Sequence, residues 1–240
     1  AGCTREALKA FSDTYITAQA NGWPDSLLST AASNFTYIEN TITKNIKDGV
    51  LATPLKIDHN RTSLDTTQCA TYTELIATDP KHPHVIGTQM RFKDGKLVKI
   101  ESLVSEQGDW AFNATGTLYY AAREDGQWGT IPEKDRDSRA VIQAAADAYL
   151  DLFNNKSVVV PWGYPCSRLE GSMSTGRGLA NDTCNVGVPN GIVISDRRYV
   201  IDETVGAVDA LVKFQTRPDS HEFRVEKGKI RFVHTITIMR

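Results

Sequence analysis

Apolar residues recur at helical spacing in two stretches of the chain. In residues 4–20 they are Leu8, Phe11, Tyr15 and Ile16, and Asn21-Gly22 ends the run. In the second stretch Val141, Ala145, Ala148, Tyr149 and Leu152 make one face. Ser138 stands where an N-cap belongs, and Asn154-Asn155 closes the run. Alternation with a period of two dominates elsewhere. Val85 to Phe92 leads through Lys93-Asp94-Gly95-Lys96 into Leu97 to Val104, and Asp-Gly between alternating runs predicts a hairpin. Glu222 to Val225 leads likewise through Glu226-Lys227-Gly228-Lys229 into Ile230 to Met239, with Ile230, Phe232, His234, Ile236 and Ile238 on one face. A further strand precedes each hairpin, at Ala70 to Ala77 and at Ala207 to Phe214. Between helix and strands each half has a loop-rich stretch, which contains Glu39 in one case and Glu170 in the other.

The same order therefore occurs twice, and individual residues recur with it. Arg5, Asp13 and Tyr15 return as Arg139, Asp147 and Tyr149. Arg61, Asp65, Thr67 and Ala70 return as Arg198, Asp202, Thr204 and Ala207, and Arg91, Gly95 and Lys96 as Arg224, Gly228 and Lys229. This is a tandem duplication, with a period too long for a solenoid, so each half needs a core of its own. The predicted fold is α+β, a helix packed on one face of a curved antiparallel sheet, made twice. The expected organisation is a first repeat over 1–108, a connecting segment over 109–137 and a second repeat over 138–240. The connecting segment holds Trp110, Tyr119, Tyr120 and Trp128, too apolar for a free linker.

Composition narrows the function. A net charge of −2 argues against nucleic acid as the main partner, because phosphate binding needs a basic surface. No apolar run reaches membrane-spanning length, so no membrane partner is expected. Asn34, Asn60, Asn113, Asn155 and Asn181 each begin an N-glycosylation signal. The four cysteines are an even number, which together with those signals suits a secreted, oxidised chain. The start at Ala1 rather than Met adds the expectation of a removed signal peptide. Four cysteines allow three pairings. The duplication favours one bridge per half, Cys3–Cys69 and Cys166–Cys184.

Several segments carry a family resemblance. In the first half they are Cys69-Ala-Thr-Tyr-Thr-Glu74, Val85-Ile-Gly-Thr-Gln89 and Gly108-Asp-Trp-Ala-Phe-Asn113. In the second they are Cys166-Ser-Arg-Leu-Glu-Gly171, Arg197-Arg-Tyr-Val-Ile-Asp-Glu203 and Asp219-Ser-His-Glu-Phe-Arg224. With the helix-then-sheet order they resemble the NTF2-like superfamily, also called the SnoaL or ketosteroid-isomerase fold. More narrowly, the chain resembles the secreted fungal double-repeat proteins of the DUF8021-like group. The resemblance implies a conical sheet with a pocket against the first helix, and a pseudo-dimer made within one chain, with further homo-oligomerisation an open possibility. It also implies proton chemistry without a cofactor, in which a Tyr of the first helix stabilises an oxyanion and an acid beyond it is the base. Tyr15 with Glu39, and Tyr149 with Glu170, match that order. Glu stands where the isomerases use Asp, and no second acid marks the oxyanion position.

The second half has the fuller set of candidate groups: Tyr149, Arg168, Glu170, Asp202, His221 and His234. His234 is a general acid–base group or a core histidine, and Glu101 is its counterpart in the first half. Glu170 is a base or the partner of Arg168 or of Arg197-Arg198. Arg197-Arg198-Tyr199 with Asp202-Glu203 reads as a carboxylate clamp or, because Arg61 and Asp65 repeat part of it, as a structural ion-pair network. His59, His82 and His84 lack metal-ligand spacing, so no metal is expected. The Gly171 to Gly178 stretch lacks the Lys-Ser/Thr of a phosphate loop. The expected function is a secreted, cofactor-independent lyase, dehydratase or isomerase acting on a small polyketide-like or sugar-acid substrate. The alternative is a non-catalytic secreted protein that binds a small molecule or carbohydrate, with Trp110, Tyr119, Tyr120 and Trp128 as its surface.

Overall fold

The computed structural model describes residues 3–240. Ala1, on which the expectation of a removed leader rests, lies outside them. The chain divides into two compact units, the first ending at Glu106 and the second running Gln107–Arg240. The aromatic segment from Asp109 onward belongs to the second.

The first unit holds α1 (Arg5–Asn21), α2 (Asp25–Leu28), β1 (Ala31–Glu39), β2 (Ile42–Thr43), β3 (His59–Asp65), β4 (Ala70–Ala77), β5 (His84–Lys93) and β6 (Lys96–Ser105). The second holds α3 (Ala114–Ala121), α4 (Arg139–Leu152), β7 (Trp162–Glu170), β8 (Met173–Ser174), β9 (Ile194–Asp202), β10 (Ala207–Phe214), β11 (Arg217–Glu226) and β12 (Lys229–Thr237). The sheet orders are β2-β1-β6-β5-β4-β3 and β8-β7-β12-β11-β10-β9, the same path taken twice. Each unit is thus the α+β helix-on-sheet arrangement that the duplication predicted.

Capping fixes where the long helices start. Thr4 accepts the N–H of Ala7, and Ser138 accepts that of Val141. α1 stops at Gly22, whose left-handed conformation lets its N–H and that of Trp23 reach back to Gln19 and Ala18. The buried face of α4 is Ile142, Ala145, Ala146, Tyr149, Leu150 and Leu152, packed against Phe223, Val225 and Val233 of the sheet. Val141, assigned to that face from sequence, is 42% exposed. The apolar stripe is phased one residue later than the periodicity suggested.

The segments that read as loop-rich are strands up to their acids. β1 pairs parallel with β6 and β7 parallel with β12, each with a register shift part-way. Pro165 interrupts β7, which removes a ladder donor and hides the strand from a pattern search. The consequence for function is large. Glu39 and Glu170 terminate these strands, opposite Ser102 and Thr235, and are therefore held by sheet pairing rather than by a loop.

The bridges are Cys3–Cys69 and Cys166–Cys184, with Cα separations of 5.4 and 5.2 Å. The first anchors the approach to α1 at the β3–β4 turn. The second ties β7 to the irregular excursion between β8 and β9. There Asp182 Oδ2 also accepts the N–H groups of Arg177, Gly178 and Leu179 at 2.7–3.0 Å. No described helix is long and apolar enough to cross a membrane. The bridges span 66 and 18 residues. By loop-closure entropy, replacing each pair with alanine should cost about 4 and about 3 kcal/mol respectively in the unit that holds it. Denaturant titration of the two double variants checks both the size and the order.

Candidate functional site

Because the sheets share one pairing scheme, positions in the two units can be matched by register. Glu39 lies opposite Ser102, which lies opposite Thr88; Glu170 lies opposite Thr235, which lies opposite His221. Two residues earlier on the strands, Tyr37 matches Arg168. Tyr15 and Tyr149 sit at corresponding places on α1 and α4.

In the first unit every one of these groups is closed off. The Tyr15 hydroxyl meets Thr88 Oγ1 at 2.7 Å, and Thr88 meets Ser102 Oγ at 2.8 Å. Glu39 Oε2 accepts the Tyr37 hydroxyl at 2.6 Å and the Val50 N–H at 2.8 Å, while Lys44 Nζ reaches Oε1 at 3.2 Å. Two 3-10 turns, Ile46–Asp48 and Val50–Ala52, bring Ile46, Val50 and Leu51 into the core. Gly49 between them makes this possible: a Cβ there would stand 2.5 Å from Glu39 Oε2 and from the Tyr37 ring. Burial pushes the phenols of Tyr15 and Tyr37 above their ordinary value.

The second unit holds the same frame open. A cavity of about 600 Å³ is lined by Arg168, Glu170, His221 and Thr235, with Phe153, Ile192 and Phe214 among its apolar walls. Arg168, nearly fully buried, donates from Nε to Glu170 Oε1 at 3.0 Å, and from Nη1 to the carbonyls of Cys184 and Val186 at 2.9 and 2.6 Å. Neither its Nη2 nor the second oxygen of Glu170 forms a hydrogen bond of good geometry among the described residues, and both side chains lie within reach of the Tyr149 hydroxyl. The Tyr149 hydroxyl and Thr235 Oγ1 are buried without partners, where Tyr15 and Ser102 have theirs. Burial first, then Glu170, raises the Tyr149 pKa well above the ordinary phenol value, with Arg168 opposing. Tyr149 therefore stays a proton donor at any ordinary pH.

His221 packs against Tyr149 with ring centroids 5.5 Å apart, and its Nδ1 lies 3.0 Å from Asp219 Oδ2. The contact is electrostatic, because the two atoms are out of line for a hydrogen bond. Thr237 donates to the other Asp219 oxygen at 2.8 Å. Burial pulls the His221 pKa down, but the Asp219 carboxylate and then Glu170 outweigh it, so it ends above its ordinary value. Asp219 is held above the usual carboxylate range by its own burial. With Nδ1 turned to Asp219, Nε2 is the ring nitrogen left for the cavity.

The end of β7 is bolted down from the connecting segment. Ser172 N–H binds the Ala111 carbonyl at 3.0 Å, Thr117 Oγ1 the Gly171 carbonyl at 3.0 Å, and Trp110 N–H the Thr237 carbonyl at 3.3 Å. Gly171 takes φ +60 at this junction, and a Cβ would lie 2.7 Å from the Trp110 carbonyl.

The other sequence candidates lie elsewhere. His234 is on the opposite face of β12 from Thr235, because side chains alternate along a strand. Its Nε2 meets Glu124 Oε2 at 2.8 Å beside Trp128, whose Nε1 donates to the same oxygen at 2.9 Å. Of the two readings of His234, its place on this face is that of a core histidine. Glu101 is likewise opposite in sense to Ser102, and pairs with Lys99 at 2.9 Å. Asp202 accepts the Thr204 N–H, as Asp65 accepts those of Thr67 and Gln68, so this repeated acid builds a turn. Arg197 bridges Asp147 at 2.9 Å and Asp151 at 2.6 Å, and Tyr199 donates to Asp147, which ties β9 to α4. Trp110 borders the cavity, Trp128 is buried on Phe232, and Tyr119 and Tyr120 line a separate open groove. The five glycosylation-signal asparagines are all exposed. Asp219 and Arg217 were missed from sequence. Asp219 could have been found, since it stands two residues from His221 on one strand and so shares its face.

The matched tyrosines should respond oppositely to loss of the hydroxyl. Tyr15→Phe breaks a satisfied buried chain and should destabilise by about 1 kcal/mol, whereas Tyr149→Phe removes an orphan and should be neutral or stabilising. Denaturant melts of the two variants decide this. Asp219→Asn leaves burial as the main influence on His221 and should take its pKa below the ordinary value of about 6.5, while the native ring titrates above it. NMR titration of the imidazole C–H signals reads both values. A native-like pKa in the variant would show that Asp219 is not the cause.

Residues 135–237, 103 of the 240, match the family model described as a domain of unknown function, DUF8021. No curated protein matches. Similar solved structures include an NTF2-like protein of unknown function from Burkholderia xenovorans LB400, at 17% identity over 44% of this chain and 88% of that one, TM-score 0.33. An NTF2-like protein of unknown function from Shewanella baltica OS155 is 10% identical over 42% of this chain and 94% of that one, TM-score 0.31. A de novo designed protein with a curved β-sheet is 14% identical over 43% of this chain and all of that one, TM-score 0.29. The chain is thus similar, through its second repeat, to the DUF8021 domain.

Proposed function

We propose that the second unit is a cofactor-independent lyase of the dehydratase kind, with isomerisation as the related outcome, acting on a small carbonyl compound in the Arg168–Glu170–His221 cavity. The observation that carries this reading is the contrast between matched positions: donors and acceptors closed by protein in the first unit are open in the second. Buried polar groups without partners are costly, so a site that retains them is one that a ligand completes.

The roles follow from the free atoms. The unpaired Glu170 oxygen removes a proton from the carbon next to the substrate carbonyl. Arg168 Nη2 and the Tyr149 hydroxyl donate to the enolate oxygen as its charge develops. His221, protonated through Asp219, gives its Nε2 proton to the hydroxyl on the β-carbon, which leaves as water. One C–H and one C–O bond break, and a C=C bond forms. Glu170 ends protonated and His221 neutral, and solvent exchange restores both. Where no leaving group is present, return of the proton to a different carbon gives an isomer instead. The substrate range expected from the cavity is small polyketide-like or sugar-acid compounds. Two disulfides and five exposed glycosylation signals support a secreted protein.

A second, non-catalytic reading is favoured by the groove beside Tyr119 and Tyr120. Arg123 stacks over Tyr119 at 3.5 Å there, and Gln127, Arg177 and Asp182 supply polar groups, a combination suited to a sugar.

Dehydration of 4-hydroxy-4-phenylbutan-2-one, followed by the absorbance of the conjugated enone, separates the two. Glu170→Gln and His221→Asn should each lower the rate by about 10²- to 10⁴-fold. The native rate should also fall as pH rises through the elevated His221 pKa, where the acid loses its proton. A Glu170→Gln, His221→Asn double variant as active as the native protein would end the catalytic reading.

A further inference from the structure

The charges around the cavity do not balance, and this specifies the ligand more closely. Arg168 is compensated by Glu170, and His221 by Asp219. Arg217, at the start of β11, also lines the cavity. It is half-buried, and its guanidinium has no hydrogen-bond or ion-pair partner among the described residues. Other cavity-facing groups in this unit have their charge answered, so Arg217 leaves one uncompensated positive charge in a partly enclosed space. A guanidinium presents two parallel N–H donors, the geometry that a carboxylate accepts.

The rest of the wall argues about the remainder of the ligand. Apolar side chains, among them Phe153, Ile192, Phe214, Trp110 and Met239, make up most of the wall, and Ser174, Thr175, Thr235 and Thr237 supply its hydroxyls. A sugar acid would lay most of its hydroxyls against those apolar walls, where a polar group without a partner is costly. An aromatic or alicyclic body buries against the same walls favourably.

Resting on the active-site reading above, we infer that the ligand of this cavity is an amphiphilic monocarboxylic acid, its carboxylate held by Arg217 and its apolar body against Phe153, Ile192 and Phe214. Arg217 is then the specificity-determining residue of the site, and the polyketide-like class is favoured over sugar acids. The Glu170 base is paired with Arg168, so it does not cancel the attraction of Arg217 for an acid.

The test uses three probes on the full chain: 2-naphthoate, 2-naphthamide and glucuronate. Binding is read by calorimetry and by the fluorescence of Trp110, which borders the cavity and is 47% exposed. Naphthoate should bind at least about tenfold tighter than its amide, the worth of one charge-assisted contact, and tighter than glucuronate. In Arg217→Gln the acid–amide gap should shrink to about twofold, and Arg217→Lys should keep part of it as a point charge without the fork. Equal binding of acid and amide, a gap unchanged in Arg217→Gln, tighter binding of glucuronate, or no binding of naphthoate each overturns the inference. Dehydration of the neutral hydroxyketone reports the acid–base chemistry separately. Lost acid preference with intact turnover removes only this inference, and lost turnover with intact preference removes only the acid–base reading.

Discussion

The second unit depends on how one buried cation is satisfied. Burying a guanidinium costs several kcal/mol unless its donors are answered. Arg168 has that answer from Glu170 beside it on β7 and from the Cys184 and Val186 carbonyls across the excursion. Those two carbonyls matter most for shape. Because the guanidinium must reach them, the segment after β8 is held across the mouth of the cone and does not fold down into it. The Cys166–Cys184 bridge fixes the same segment covalently, at the residue that offers the first of those carbonyls. The cavity is therefore a by-product of satisfying Arg168.

The first unit shows what happens to the same backbone when the cation is absent. Tyr37 occupies the matched position and donates to Glu39, so no distant carbonyls need be held. The chain after β2 is free to turn inward, Gly49 permits the close approach, and Val50 supplies the N–H that completes Glu39. The two solutions differ in kind. One closes the matched groups Tyr15, Tyr37, Glu39 and Ser102 in protein hydrogen bonds and fills its core. The other leaves Tyr149, Thr235 and one oxygen of Glu170 without partners around an open space. Because the pairing scheme is common to both, the difference comes from side chains and excursion and not from topology. That makes the first unit an internal control for the second, and it is why the open groups argue for a ligand more strongly than they would in a single-copy protein.

Much of this was legible in the chain. The hairpins announced themselves through Asp94-Gly95 and Lys227-Gly228, because turn chemistry is local. The pairing of Tyr149 with Glu170 came from the family resemblance, and the assignment of bridges from the duplication, which supplies long-range information that a single copy lacks. Where the reading failed, the missing information was non-local. β1 and β7 pair in parallel with strands far along the chain and carry register shifts, and Pro165 breaks the pattern that would have marked the second of them. His234 lies on the more apolar face of β12, and from the sequence it could be either an acid–base group or a core histidine. In the structure both faces of β12 are covered, so apolarity could not distinguish them. Trp128 and Glu124 cover the His234 side, and the cavity with its apolar walls lies on the Thr235 side. Arg217 carried no local signal, because its significance is that nothing answers it.

The orphaned hydroxyls of Tyr149 and Thr235 are defects by the standards of a stable core, at roughly 1–3 kcal/mol for each buried unsatisfied group. The unit that carries them also carries a short-loop disulfide, a strand end bolted by Ser172, Thr117 and Trp110, and an ion-pair lattice from Arg197 to α4. The bridge alone is worth about 3 kcal/mol in the chain-entropy account, enough to offset one such defect or two mild ones. These reinforcements hold the backbone around the cavity and leave the Arg168, Glu170 and His221 side chains facing it. Rigid supports around unsatisfied groups keep those groups in place for a ligand and prevent the collapse that would satisfy them internally, as the first unit has done. On this view the excursion, the bridge and Gly171 serve the same end: they keep Arg168, Glu170 and His221 at fixed separation while leaving one face of each unmet.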